Sequence, residues 1–118
     1  MKATNHILYD TVITIYTLNK DESVPWHKHD FIHTTCCLNG KSKVIVDGFP
    51  PVSMYPGTAD VYLPGGVYHE VMAMEDNTIL MHCFKREYLG IKSTPESAFT
   101  PDMVNPGYLM DDGTIQYD

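Results

Sequence analysis

Four of the six histidines in this chain, His27, His29, His33 and His69, have the spacing of a metal-ligand set. The first three fall within seven residues. On an extended segment, positions i and i+2 project from the same face, so His27 and His29 present two imidazoles to one side as a clamp. His33 keeps that parity but lies beyond Asp30-Phe31-Ile32, where a bend could bring it around the same point. A fourth ligand must come from another strand. Imidazole nitrogens suit Fe, Ni, Zn and Cu by affinity, and Mn is admitted where availability decides.

The elements that must position these side chains are strands. Thr11 to Leu18 reads TVITIYTL, a run of β-branched and aromatic residues that is apolar on both alternations. Similar runs recur at 32–38, 43–46, 59–63, 67–74 and 78–84. Turn signals separate them: Asn39-Gly40, Asp47-Gly48, Pro50-Pro51, Pro56-Gly57, Pro64-Gly65-Gly66 and Asp76-Asn77. No stretch longer than about ten residues has a convincing 3.6-residue apolar period, which leaves helix at most a turn or two near Arg86 to Leu89. The spacing predicts an all-β sandwich or barrel, with its core at about residues 9–90.

The histidines also sit in two motifs that resemble those of the cupin superfamily. The first motif of that family runs His-x-His, three or four residues, Glu, six residues, Gly. This chain has His27-Lys-His29, three residues, His33, six residues and Gly40, so His33 stands where Glu is usual. The preceding Pro25-Trp26 is also similar to cupins. The second motif is Gly, about five residues, Pro-x-Gly, two residues, His, three residues, Asn. Here Gly57 leads to Pro64-Gly65-Gly66 and His69 with one extra residue before the proline, and Ala73 replaces the Asn.

The resemblance implies a cupin-type jelly-roll β-barrel with an extended N-terminal strand, and one divalent ion (Fe, Mn, Ni or Zn) held by His27, His29, His33 and His69. It leaves open a three-histidine site in which His33 stands behind the ligands. Four neutral ligands would leave a divalent ion at its full formal charge, which favours anions and Lewis-acid chemistry and makes oxidation of the metal harder. Oxygen chemistry is nonetheless the commonest activity among such cupins. The expected function is therefore a metal-dependent enzyme acting on a small polar or carboxylate substrate: a dioxygenase, or a lyase or isomerase using the metal as Lewis acid. The alternative is a non-catalytic cupin that binds a small ligand or a metal.

Further pocket candidates follow from alternation with the ligands. Leu80, His82 and Phe84 form one face of a strand and Ile79, Met81 and Cys83 the other. If the first face points inward, His82 lies near the metal as an acid/base group; an outward or simply hydrogen-bonded His82 is the other reading. Tyr62 and Tyr68 flank the second motif, Trp26 precedes the ligand pair, and Cys37 shares parity with His33. These four are candidate substrate contacts, each with packing as its ordinary alternative.

Composition narrows the partners. At 118 residues and 43% hydrophobic, the chain fits one domain, 1–118, with one core. Of its net charge of −7, five negative charges fall in an extended arm, Ser93 to Asp118, which has no Lys or Arg. No basic cluster marks a nucleic-acid surface, and nowhere do 18 apolar residues occur together. Adjacent Cys36 and Cys37 would make a poor disulfide pair, and Cys83 has no obvious mate, so reduced thiols in a cytoplasm are expected. An N-terminal strand apolar on both sides points to a homodimer.

Overall fold

The computed structural model describes residues 1–88, apart from the side chains of Ile7 and His29, and the backbone of three short strands at 93–94, 108–109 and 115–116. In chain order the strands are β1 (Lys2–Leu8), β2 (Thr11–Leu18), β3 (Ser23–His29), β4 (His33–Asn39), β5 (Ser42–Val46), β6 (Val52–Met54), β7 (Val61–Leu63), β8 (His69–Ala73), β9 (Thr78–Lys85), β10 (Ser93–Thr94), β11 (Tyr108–Leu109) and β12 (Ile115–Gln116). A single 3-10 turn at Arg86–Tyr88 follows β9, where the sequence allows only a turn or two of helix.

Two five-stranded antiparallel sheets carry the fold. Sheet I has the order β1-β2-β9-β4-β7, and sheet II the order β10-β3-β8-β5-β6; β11 and β12 pair with each other. From β2 to β9 the chain passes repeatedly from one sheet to the other, which is jelly-roll topology. Among the described residues the sheets are not hydrogen-bonded into a closed cylinder, so the barrel is a sandwich of two facing sheets. The all-β expectation holds in this form.

Alternation explains the core. In β2, Val12, Thr14, Tyr16 and Leu18 are buried while Ile13 and Ile15 on the other face are half-exposed. The apolar core cluster joins Tyr16 and Leu18 to Ala3, Leu80, Leu63 and Cys37 from sheet I and to Val24, Val44, Met54, Val71 and Ala73 from sheet II. Val44, Val71 and Leu80 are fully enclosed, each contributing about 1.5–3 kcal/mol by burial. Lys2–Leu8 lies before the core boundary expected from sequence, yet it pairs with β2 along its whole length. Its composition is too mixed to announce a strand. β2 supplies the hydrogen-bonding template instead.

One row across the inner face of sheet I is polar. Asn5 opposes Thr14, Thr14 opposes His82, and His82 opposes Thr35. All four are buried. Thr14 donates to Asn5 Oδ1 at 2.7 Å. Of the acidic arm expected at 93–118, only short strands lie within the described residues: Ser93–Thr94 adds an edge to β3, and Tyr108–Leu109 pairs with Ile115–Gln116.

Candidate metal centre

Three of the four predicted ligands are buried together at one end of the sandwich. His27, near the end of β3, pairs with His69, at the start of β8, within sheet II; His33 opens β4 of sheet I. The His27 and His69 rings meet edge-on with centroids 4.4 Å apart, and the His33 ring lies 5.0 Å from His69. The bulge in β3 between Val24 and His27 sets this register. His29 belongs to the same strand, and its side chain lies outside the described residues.

The structure also brings in His82. Its ring lies 5.4 Å from that of His33 and 4.6 Å from that of Tyr16. The face of β9 carrying Leu80 and His82 is thus the inward one. The exposures of His27, His33, His69 and His82 are 5%, 3%, 1% and 6%. Imidazoles from four strands and both sheets form one buried chain.

Donor chemistry within this chain fits a metal. His27 Nδ1 faces the carbonyl oxygen of Pro25, and His69 Nδ1 faces that of Val67 at 2.9 Å. A carbonyl only accepts, so Nδ1 carries the proton in both neutral rings and Nε2 bears the lone pair. Fixing the tautomer through a backbone carbonyl is the usual outer support of a ligating histidine. Burial pushes the His27 pKa down, against the opposing effect of the Pro25 carbonyl, so the ring favours the neutral form that a metal requires. Among the described residues, which omit the His29 side chain, no three His, Cys, Asp or Glu side chains form a finished ion-binding group.

The other sequence candidates fall elsewhere. Tyr62 is 61% exposed, on the alternation opposite to buried Leu63. Trp26 and Tyr68 stack on each other, centroids 5.8 Å apart, with Lys28 Nζ 5.3 Å from the Tyr68 ring. Each precedes a buried histidine by one residue, so the stack belongs to the outer face of sheet II. None of these three is placed among the imidazoles. Cys37 does point inward, but it lies four positions along β4 from His33. Its thiol donates to Asn39 O at 3.2 Å, and burial pushes its pKa up, which keeps it a neutral packing group.

Sequence reading passed over Tyr16, Thr14 and Thr35, which surround His82, and Phe31, which lies in the spacer between His29 and His33. Their only signal was parity with His82 or position within the motif. A separate cleft of about 810 Å³ is lined by Asp10, Thr11, Lys85, Arg86 and Glu87. Its two cations and two anions balance, so it favours no ligand class.

No family model and no curated protein matches the chain. Solved structures do match. The lyase DddQ from Ruegeria pomeroyi DSS-3, described as a DMSP lyase, superposes with a TM-score of 0.62 at 18% identity, over 71% of this chain and 42% of that one. The fold is that of the cupins. A cupin 2 conserved barrel domain protein from Leptotrichia buccalis gives 0.61 at 27% identity, over 70% and 39%. A cupin-2 domain protein from Shewanella frigidimarina gives 0.59 at 17% identity, over 71% and 79%. The chain therefore spans less than half the length of the first two of these. This cupin sandwich has its imidazole cluster at one end, and no helix among its described residues is long and apolar enough to cross a membrane.

Proposed function

We propose that this cupin is a metal-dependent enzyme acting on a small polar or carboxylate-bearing molecule, with one divalent ion held by His27, His29, His33 and His69. The observation that carries the reading is the buried chain of His27, His69, His33 and His82, drawn from β3, β8, β4 and β9, with two ring tautomers fixed by backbone carbonyls. Structural neighbours include proteins described as a DMSP lyase and as oxalate decarboxylase from Bacillus subtilis, the latter with a TM-score of 0.57 at 18% identity over 64% of this chain and 21% of that one. They make lyase chemistry a natural reading for this site.

When bound, Fe, Mn, Ni or Zn would supply Lewis-acid polarisation of a coordinated substrate oxygen. The chain's own residues do the rest. Carbonyls of Pro25 and Val67 hold two imidazoles in one orientation. His82, deeper in the sandwich and beside His33, takes or returns a proton at its ring nitrogen. Tyr16 packs against His82 and limits its rotation. The tight surroundings exclude bulk water, so a proton held at His82 is not lost to solvent.

Elemental analysis of the purified protein tests this directly. The wild type is expected to hold about one equivalent of metal, and His69→Ala to lose it. His82→Gln should keep the metal and lose turnover by roughly 10²-fold or more. Oxygen uptake on adding Fe(II) separates dioxygenase from lyase or isomerase chemistry. A wild type free of metal, and unable to take it up, would overturn the reading.

A further inference from the structure

An aromatic cluster lies at the same end of the sandwich as the imidazoles. Thr34 pairs with Cys83, so the next position along sets Phe84 beside His33 on the inward face of β9. Phe31, in the turn between His29 and His33, meets Phe84 with ring centroids 4.9 Å apart at 43°. Phe31 also stacks on Tyr88, centroids 5.5 Å apart at 21°. The three rings come from a turn, a strand end and the 3-10 turn that follows it.

Two features separate this cluster from ordinary core. All three rings are only half-buried, and none belongs to the apolar core cluster. The turn that carries Phe31 is also closely backed. A Cβ on Gly65 would lie 3.0 Å from Phe31 N and 3.2 Å from the carbonyl carbon of Asp30. The loop before β8 therefore presses directly on the 30–31 backbone. Phe31 is held in place next to the ligand positions on either side of it, His29 and His33.

Half-buried, mutually stacked rings beside His33 leave some aromatic surface within reach of a ligand held there. Aromatic pairs prefer offset or tilted stacking, and each adds to what burial alone supplies. We infer that Phe31, Phe84 and Tyr88 form the specificity wall of this site, and that the ligand carries an aromatic ring next to its metal-binding oxygens. This deepens the metal-centre reading and rests on it. A purely aliphatic hydroxy acid would leave the wall in contact with water.

Three α-hydroxy acids with one chelating head test the idea: mandelate, lactate and cyclohexylglycolate. The full-length protein is loaded with Co(II), whose visible spectrum reports both occupancy of the metal site and arrival of a ligand. The wild type should bind mandelate about tenfold or more tightly than either comparison acid, the scale set by one or two ring contacts. That preference should fall towards unity in Phe31→Leu or Phe84→Leu, two replacements that keep the bulk apolar. Equal binding of mandelate and cyclohexylglycolate, or a preference that survives both replacements, would overturn the specificity wall while the metal site stands. Failure of Co(II) to bind at all would instead remove the metal reading and the wall with it.

Discussion

His82 shows what a single residue's surroundings decide. Alternation put it on one face with Leu80 and Phe84, but which face looks inward depends on the partners of β9, and these come from β2 and β4, distant in sequence. The pairings Thr14↔His82 and Thr35↔His82 settle it. The same holds for Tyr16, read from sequence only as one apolar member of a strand. Burial alone pushes the phenol of Tyr16 well above its ordinary value of about 10. Its folded pKa is thus raised above the unfolded one, so its contribution to stability is complete below pH 10 and is lost as pH rises towards the folded value. In urea unfolding, the wild type should lose about 1.4 kcal/mol per pH unit above 10 from this group. Tyr16→Phe cannot ionise and should lack that component, so the difference between the two slopes isolates it from the other tyrosines. Parallel slopes would mean that Tyr16 ionises as readily in the folded chain.

Among the elements, glycines in the cupin-like motifs mark where strands must turn, and the structure supplies the reason for one of them. Gly40 joins β4 to β5 at φ +76°, in the left-handed region. A Cβ there would sit 2.7 Å from Thr78 Oγ1 and 3.0 Å from Thr78 Cα. Thr78 cannot easily yield, because its hydroxyl donates to Glu75 O at 2.8 Å, with Lys41 O as a second acceptor within reach at 3.2 Å. Gly48 has a similar φ of +83° but open space around it. Gly40→Ala should therefore destabilise the fold by about 2–3 kcal/mol, against about 1 kcal/mol for Gly48→Ala, which meets only the backbone strain. Denaturant midpoints of the two variants check the order; equal losses would show that the Thr78 contact relaxes. Most strands were legible in the sequence because β-branched runs alternate with Asn-Gly, Asp-Gly and Pro-Gly turns. β1, β3 and β6 were not, since Lys2–Leu8 is mixed in character, Ser23–His29 holds Pro25 and mostly polar residues, and Val52–Met54 has only Met54 buried. Each becomes a strand through its neighbour. The metal-ligand candidates were legible for a different reason: their spacing is local for three of them. The residues around His82 and the Phe31 cluster were not, because they meet only through pairing between distant strands.

The two outer faces of the sandwich differ chiefly in their charged residues. On sheet I, the outward positions of β2, β9 and β4 include Ile13, Ile15, Ile79, Met81, Cys83, Cys36 and Leu38, all half-exposed or exposed. On sheet II the corresponding face mixes Lys28, Lys43 and Glu70, the last accepting a hydrogen bond from Ser23 at 3.0 Å, with Trp26, Tyr68, Ile45 and Met72. A contiguous apolar sheet face in water is the signature of an interaction surface. The homodimer expected from the sequence is accordingly proposed to form through sheet I, with two such faces packed together around the apolar outer side of β2. A stable dimer buries roughly 1,200–2,000 Å² in all, which needs most of one sheet face from each copy. Ile15 opposes Met81 at the centre of this face. Ile15→Lys would place a charge there with no partner in the facing copy, and two copies would bring two like charges together. On a sizing column the wild type should elute as a dimer and Ile15→Lys as a monomer. The variant should keep its metal, because Ile15 points away from the imidazoles on the other side of the sheet. A wild-type monomer would remove the dimer altogether, and a dimer that survives Ile15→Lys would move the contact to another face.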